Sequence, residues 1–214
     1  MQTRPPLSTL RLILWPMLLT AAVSVARLLT ERFGVVTTRS GGAFAWLGIT
    51  WLGFVFGAWF AIRLRRAGSS PRVRAPWAWT TLALLAIAAV AAWQFRPLFD
   101  ADRSEATFAR VRSAVLVIVA VTVPVSLTMF ALWPRLAWTL LCYAIPARLT
   151  VLALTVLAKV LEWDTHYTKF GPPGIERDLP GTIVAATIAQ SGFWVPFTIV
   201  SGTFAGMWFA TRRG

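Results

Sequence analysis

Six long apolar stretches run through this chain, and they restrict its possible folds more than any other feature. A helix needs about 20 mostly apolar residues to cross the hydrocarbon core of a bilayer. Each stretch reaches this length and is bounded by arginine, glycine, proline or acidic residues. The six lie at 8–29, 43–62, 76–95, 113–133, 136–161 and 182–210. The pattern predicts an all-α polytopic membrane protein, with six transmembrane helices in a single transmembrane domain over residues 1–214 and no soluble domain.

The composition excludes the main alternatives to a membrane fold. Hydrophobic residues make up 57% of the chain and charged residues 14%, whereas a soluble domain has about 45–50% apolar and about 25% charged residues. The same balance excludes a disordered chain. The first stretch resembles a signal peptide, because Ser24, Val25 and Ala26 form a small-x-small pattern like a cleavage site. Its apolar run continues to Leu29, so we expect a retained transmembrane helix.

The basic residues predict the orientation in the membrane, because cytoplasmic loops are enriched in Lys and Arg. The side that holds both termini carries ten basic residues and no acidic ones, with a cluster at 63–74. The opposite side carries eight basic residues together with the acidic residues. We therefore expect an integral protein of the bacterial inner membrane with both termini in the cytoplasm. The net charge of +13 then reflects topology and attraction to anionic membrane lipids, and we expect no nucleic-acid partner.

Few of the residues that usually carry catalysis or bind metals are present. The chain has one cysteine, Cys142, and one histidine, His166, so zinc motifs, bis-histidine haem and HExxH sites are excluded. Asp164 and His166 could form an acid–base pair, but an interfacial aromatic segment with solvated charges explains them equally well. The sequence therefore predicts no catalytic residue, no metal and no cofactor, and it favours a protein that is not an enzyme.

Three basic residues fall inside the predicted spans, where an ionisable side chain is costly and often functional. They are Arg27, Arg148 and Lys159. Lys159 follows Arg148 by eleven residues, which returns to within about 20° of the same direction on a helix. Thr155 and Glu162 fall on that face as well. The fifth span therefore carries a polar stripe.

Polar stripes also mark the first and the last spans. The last span has a polar face that includes Gln190 and Ser191, and Gly192 within it permits a kink or local unwinding. We expect the three stripes to line a polar cleft that opens outward and ends near Arg148 and Gln190. The stripe of the first span consists of Thr20, Ser24, Arg27 and Glu31. The candidate ligand-binding residues are Arg148, Gln190, Lys159, Thr155, Ser191 and Arg27.

Arg148 has no acidic neighbour at its depth in the predicted membrane, which suggests a bound anion. A carboxylate or a phosphate, including that of a lipid headgroup, could bond a guanidinium in a bidentate manner. Structural roles are the alternative. Arg148 could bond backbone carbonyls left available by Pro146. Lys159 and Arg27 could extend along apolar surface to the interface, and for these two we favour the structural role.

Three functions are open from the sequence. The leading one is a small membrane protein that binds or translocates an anionic or amphiphilic ligand in the cleft. The second is a non-catalytic structural subunit of a larger complex, in which Arg148 would meet a carboxylate of a membrane protein partner. The third is a lipid-modifying membrane enzyme, in which Arg148 and Lys159 would hold a phosphate and the 162–167 segment would fold over the cleft.

Two pairs of glycines at four-residue spacing predict where helices approach closely. Gly53 and Gly57 lie in the second span, and Gly202 and Gly206 lie in the last span. Small residues at this spacing let helix backbones come close together in membranes. In a protein with six spans we expect these pairs to serve packing within the chain rather than dimerisation.

Overall fold

The described part of the chain is built from helices. A computed structural model describes residues 8–36, 48–95, 105–169 and 177–211, and no strand occurs among them. The helices are α1 (Thr9–Arg32), α2 (Thr50–Arg66), α3 (Pro76–Phe95), α4 (Glu105–Leu132), α5 (Pro134–Val160), a short 3₁₀ helix (His166–Thr168), α6 (Leu179–Ile188), a π-helical segment (Ala189–Trp194) and α7 (Val195–Thr211). α6, the π-helical segment and α7 follow one another without a break, and together they are called the last helix.

Five helices are long and apolar enough to cross a membrane, which confirms the predicted all-α polytopic fold. They are α1, α3, α4, α5 and the last helix. The remaining long helix, α2, has 17 residues, which extend about 25 Å at about 1.5 Å per residue and lie at the lower limit for a crossing helix. The span predicted at 43–62 begins its helix at Thr50 and continues to Arg66, and its residues 43–47 lie outside the described part.

Large apolar side chains cover the outside of the bundle. Trp15 is 74% exposed and Trp93 is 70% exposed. A soluble monomer rarely exposes contiguous apolar surface of this kind. Others that face outward on different helices are Leu10, Leu82, Leu85, Leu116 and Leu127. Such a surface suits contact with lipid chains.

The last helix lies at the centre of the bundle. Its C-terminal part, α7, packs against α2, α3, α4 and α5, whereas α1 packs mainly against α5. The core between them includes Phe60 of α2, Leu136 and Tyr143 of α5, and Met207 of α7, all almost fully buried. α5 therefore contacts both α1 and the last helix, and it brings polar groups from its own centre to each of these interfaces.

The glycine pairs bring α2 and α7 into backbone contact. A Cβ atom added at Gly57 would collide with the backbone of Gly202, and one added at Gly202 would lie 3.1 Å from the carbonyl oxygen of Gly53. Gly206 faces the carbonyl oxygen of Gly57 in the same way, also at 3.1 Å. The prediction that these glycines serve packing within the chain is confirmed.

Three helices end in the same turn, in which the residue after the C-cap has a left-handed conformation. At α1 and α2 this residue is Gly34 or Gly68, the residue type that adopts this conformation without strain. At α5 it is Glu162, with φ of 53°. The turn is closed by the Trp163 N–H, which donates to the Ala158 carbonyl oxygen at 2.8 Å. Glu162 thus occupies a position that favours glycine.

Replacing Glu162 by glycine is expected to stabilise the protein by about 1 kcal/mol, because a residue with a side chain costs about 1–2 kcal/mol in the left-handed conformation. Glu162 is exposed, and no ion pair among the described residues involves it, so little is lost with its carboxylate. Thermal unfolding in detergent should show a higher midpoint for Glu162→Gly and a lower one for Glu162→Val. A lower midpoint for Glu162→Gly would contradict this account of the turn.

Candidate functional site

Arg148 lies in the middle of α5 and points into the interface with the last helix. Only 7% of the residue is exposed. Its Nη2 donates a hydrogen bond to the Thr198 hydroxyl at 3.0 Å, and its Cζ lies 5.1 Å from the centre of the Trp194 ring. The Thr198 hydroxyl donates in turn to the Trp194 carbonyl oxygen at 2.7 Å. A hydroxyl and an aromatic face therefore hold the guanidinium, and no ion pair among the described residues involves it.

Three predicted site residues on these helices each have a buried polar atom without a hydrogen-bond partner in the described part of the chain. The atoms are Arg148 Nε, Thr155 Oγ1 and Gln190 Oε1. Thr155 is fully buried and Gln190 is 5% exposed. Buried polar atoms in native proteins are nearly always paired, and leaving one unpaired costs about 1–3 kcal/mol. The three atoms offer a charged donor, a hydroxyl and an amide to a group lying between the helices.

The opposite directions of α5 and the last helix place these residues close to the same level. Arg148 bonds Thr198, and α5 packs against α6, the π-helical segment and α7 in turn. Thr155 follows Arg148 by about two turns of α5, at 3.6 residues per turn. Gln190 precedes Thr198 by about two turns of the last helix. Thr155 and Gln190 therefore lie on facing helices, on the same side of the Arg148–Thr198 contact.

The π-helical segment, Ala189–Trp194, shapes this part of the last helix. The sequence predicts a kink or local unwinding here, and the structure has a π turn instead. Gly192 packs closely on α4, because an added Cβ atom would lie 2.6 Å from Cγ2 of Val119. The Thr122 hydroxyl of α4 lies 2.8 Å from the Gly192 carbonyl oxygen. π turns are rare, and those that occur often lie at functional sites. This one contains both Gln190 and Trp194.

A second buried polar cluster joins the end of α1 to the loop that follows α5. Glu31 is 2% exposed and accepts hydrogen bonds from Arg27 Nε at 2.9 Å and from the His166 backbone N–H at 2.9 Å. His166 Nδ1 lies 2.7 Å from the same carboxylate. This Arg27–Glu31–His166 cluster marks what is called below the His166 end of the bundle. Because Glu31 neutralises it, Arg27 can be buried without a ligand.

The rest of the polar face of α1 is satisfied by α5 and by the same loop. The hydroxyls of Thr20 and Tyr143 are hydrogen-bonded at 2.7 Å, and the Tyr167 hydroxyl donates to the Ser24 carbonyl oxygen at 3.1 Å. No hydrogen bond within the described ranges joins α1 to Arg148 or to the last helix. The polar face of α5 therefore bonds the last helix through Arg148 and Thr198, while the polar face of α1 bonds Tyr143 of α5 and the loop after α5.

The structure brings together some of the predicted site residues and separates others. Arg148, Thr155 and Gln190 lie on the interface between α5 and the last helix. Arg27 belongs to the other cluster, where it pairs with Glu31. Ser191 is exposed although it follows a buried residue, because neighbours on a helix point about 100° apart, and it contributes nothing to this interface.

Lys159 is half-buried and lies toward the His166 end of α5. It is about 16 Å from Arg148 along the helix axis, at about 1.5 Å per residue. Glu162, which the sequence places on the same face three residues later, is exposed because the left-handed turn leads the chain away from the helix, and it forms no ion pair with Lys159 in the described structure. Lys159 is thus nearer to the membrane surface than to the buried guanidinium.

Sequence reasoning missed the bond between Glu31 and His166, whose positions are 135 residues apart. The sequence offers Asp164 as a partner for His166, but the Asp164 carboxylate pairs with Lys169 at 2.8 Å. The Asp164–His166 acid–base pair considered from the sequence is therefore not formed in the described structure. The available signal was the spacing of Arg27 and Glu31 on the buried face of α1, since a carboxylate there has room for a second partner.

His166 makes the stability of the protein depend on pH. Burial lowers the pKa of His166 below its ordinary value of 6.5, although the Glu31 hydrogen bond opposes this, and the charges of Arg27 and Lys169 lower it further. The folded protein therefore keeps a neutral imidazole whose Nδ1–H donates to Glu31. As the pH falls below 6.5, the unfolded chain takes up the proton first, so the free energy of unfolding decreases.

The thermal unfolding midpoint should therefore fall as the pH drops below the ordinary histidine pKa of 6.5. His166→Asn provides the control, because it keeps an N–H donor near the position of Nδ1 but does not titrate. We expect a weaker pH dependence in this variant over the same range. Equal pH dependence in the two proteins would show that His166 is not the group responsible.

Three residues supply the polar groups that a ligand between α5 and the last helix could contact. Arg148 supplies a positive charge with an unpaired N–H, Thr155 a hydroxyl and Gln190 an amide. Over the described ranges, no group of three or more His, Cys, Asp or Glu side chains could hold a metal ion. Comparison with known proteins finds no matching family model, no matching curated protein and no matching solved structure.

Proposed function

We propose that the protein binds an oxyanion at Arg148, either as a small solute or as the headgroup of an amphiphile, and that it holds or translocates this ligand in the bacterial inner membrane. The observation that supports this most is the buried guanidinium, which has an unpaired Nε and no ion pair in the described structure. A buried charge without a counter-ion is strongly unfavourable. A bound anion would supply both the opposite charge and the missing hydrogen-bond acceptor.

Carboxylate and phosphate are the ligand groups that match the site. One N–H of Nη2 is bonded to Thr198, and the buried Nε–H has no partner in the described structure, so Nε is available to a ligand. Thr155 and Gln190 provide further polar atoms for the remaining oxygens of such a group. Hydrogen bonds are electrostatically stronger in a buried environment than in water, so a few well-placed groups suffice to hold an anion here.

The charge distribution supports the proposed orientation, with both termini in the cytoplasm. The end of the bundle at which α2 ends and α3 begins carries five exposed arginines in 63–74. The loop at 67–75 contacts the junction of α4 and α5, where the backbone N–H of Arg72 donates a hydrogen bond to the Leu132 carbonyl oxygen at 2.8 Å. Basic residues concentrated at one end favour the cytoplasmic side and attract anionic lipids.

The main alternative is a subunit of a membrane complex, in which a carboxylate of another chain would neutralise Arg148. This arrangement requires the carboxylate to enter an interface where the arginine is 7% exposed. The π turn next to the guanidinium supports ligand binding or translocation instead, because it locally changes the helix beside the site. A co-purifying polypeptide lost on replacement of Arg148 would favour the subunit.

Thermal unfolding with added anions tests the proposal. The protein purified in detergent is titrated with inorganic phosphate and with short-chain phosphatidylglycerol, and phosphatidylcholine serves as the control without net charge. A ligand that binds only the folded state raises the unfolding midpoint. We expect at least one anion to stabilise the wild-type protein and not Arg148→Gln. No stabilisation by either anion, or the same stabilisation in the variant, would contradict binding at Arg148.

A further inference from the structure

The unpaired polar atoms of the described structure all belong to residues between Arg148 and Gln190 in the chain. Five buried side-chain atoms have no hydrogen-bond partner there, and all five belong to α5, to the loop after it or to the last helix. Each of the residues is at most 7% exposed. They are Arg148 Nε, Thr155 Oγ1, Thr165 Oγ1, Thr182 Oγ1 and Gln190 Oε1. Unpaired atoms arising by chance would be spread over all of the helix interfaces.

Along the helices, these residues follow one another from the His166 end of the bundle to Arg148. Thr165 follows the end of α5 and Thr182 lies in the first turn of α6, so both are at the His166 end. The buried face of α6 consists of Thr182 and Ala186, and it continues one turn later to Gln190. Thr155 lies on α5 close to the level of Gln190, about two turns from Arg148. Arg148 lies at the inner end of this series.

Among these atoms, the Thr155 hydroxyl departs most from the pattern of the other buried threonines. Buried threonines in α-helices of this chain generally donate to the carbonyl oxygen four residues earlier, as Thr20, Thr80, Thr122, Thr139, Thr198 and Thr203 do. Thr155 lies in the middle of a helix, where such a carbonyl is available, and yet its hydroxyl has no partner. A hydroxyl that forgoes this bond is positioned to bond something between the helices.

We propose that the α5–last helix interface is a polar path by which a water-soluble oxyanion reaches Arg148 from the aqueous phase at the His166 end. This rests on the proposed binding of an anion at Arg148. An unpaired polar group inside a membrane costs several kcal/mol, and buried water commonly satisfies such groups when several lie together. A row of hydroxyls and an amide, ending at a fixed positive charge, is suited to water and to a small anion. In this proposal the anion enters from water and does not enter sideways from the bilayer.

Cysteine labelling with a charged thiol reagent tests the path. In a Cys142→Ala background, Thr182→Cys and Thr155→Cys place a thiol on the path. Val184→Cys and Leu157→Cys are matched controls on the same helices, since these residues are 59% and 44% exposed on the outside of the bundle. The reagents are the membrane-impermeant methanethiosulfonates, one anionic (ethylsulfonate) and one cationic (ethyltrimethylammonium), added to reconstituted vesicles.

We expect both path variants to be labelled and both controls to be spared. The anionic reagent should react faster than the cationic one at Thr155→Cys, and this preference should be lost when Arg148→Gln is added. Inorganic phosphate should slow labelling of Thr155→Cys. Labelling of Leu157→Cys as fast as Thr155→Cys, or labelling of Thr155→Cys only by a lipid-soluble maleimide, would overturn the path and indicate entry from the bilayer. Stabilisation by anions is measured separately, so the path can fail while anion binding at Arg148 is retained.

Discussion

Gly57→Ala is expected to destabilise the protein by more than about 3 kcal/mol. This is more than overpacking a core usually costs. The added Cβ atom would collide with the Cα, the carbonyl carbon and the carbonyl oxygen of Gly202. A side chain could rotate away from such a clash, but a helix backbone cannot. α2 and α7 would have to separate, and the neighbouring contact between Gly206 and the Gly57 carbonyl would be lost with them.

Gly53→Ala is the matched control, one turn earlier on the same helix. Its Cβ atom would lie 3.4 Å from Ser201 Oγ and 3.7 Å from Thr198 Cγ2, which are side-chain atoms at ordinary contact distances. Because alanine favours a helix over glycine by about 1 kcal/mol, this change should be neutral or slightly stabilising. The midpoints of thermal or denaturant unfolding in detergent compare the two variants. Similar midpoints would show that α2 and α7 are not in backbone contact at Gly57.

Arg148→Gln is expected to weaken anion binding by about 10- to 100-fold. A hydrogen bond to a charged group contributes about 1.5–3 kcal/mol, and about 1.4 kcal/mol corresponds to a tenfold change in affinity. Glutamine fills much of the same volume but removes the charge, and its carbonyl oxygen would face an anion. The affinity is measured with inorganic phosphate or with phosphatidylglycerol, whichever stabilises the wild-type protein.

Two further variants separate the charge of Arg148 from its geometry. Arg148→Lys keeps the positive charge but loses the planar set of N–H donors, so we expect an affinity between those of the wild type and Arg148→Gln. Arg112→Gln removes the same charge from an exposed position on α4 and should leave binding unchanged. If Arg112→Gln weakened binding as much as Arg148→Gln, the effect would come from the net charge of the protein rather than from a site.

Much of the fold follows from two simple regularities of the sequence. The length of each apolar stretch predicts a crossing helix, and the four-residue spacing of Gly53, Gly57, Gly202 and Gly206 predicts a close pair of helices. The central residues of the candidate site can also be predicted from the sequence. Helical periodicity places Thr155 on the same face as Arg148, and a buried arginine without an acidic neighbour draws attention to its surroundings.

Periodicity fails where the chain leaves an ordinary α-helix. Glu162 is in register with Lys159 only if α5 continues, and the left-handed turn at Glu162 ends the helix first. The sequence places Gln190 and Ser191 on one polar face, but neighbouring residues on a helix point about 100° apart, and only Gln190 is buried.

Contacts between distant segments are the other part that the sequence leaves open. Glu31 and His166 meet because the loop after α5 folds back against the end of α1. No spacing rule connects residues that are 135 positions apart. Arg27 pairs with Glu31 four residues later on its own helix, while no ion pair among the described residues involves Arg148.

Native mass spectrometry of the protein released from native-lipid nanodiscs tests anion binding at Arg148 most directly. Wild-type protein, Arg148→Gln and Arg112→Gln are compared, and any bound species is identified from its mass. We predict a bound anionic solute or anionic lipid in the wild type and in Arg112→Gln, and its loss in Arg148→Gln. Bare protein in all three samples, or the same bound species in all three, would contradict the assignment of Arg148 as the ligand-binding residue.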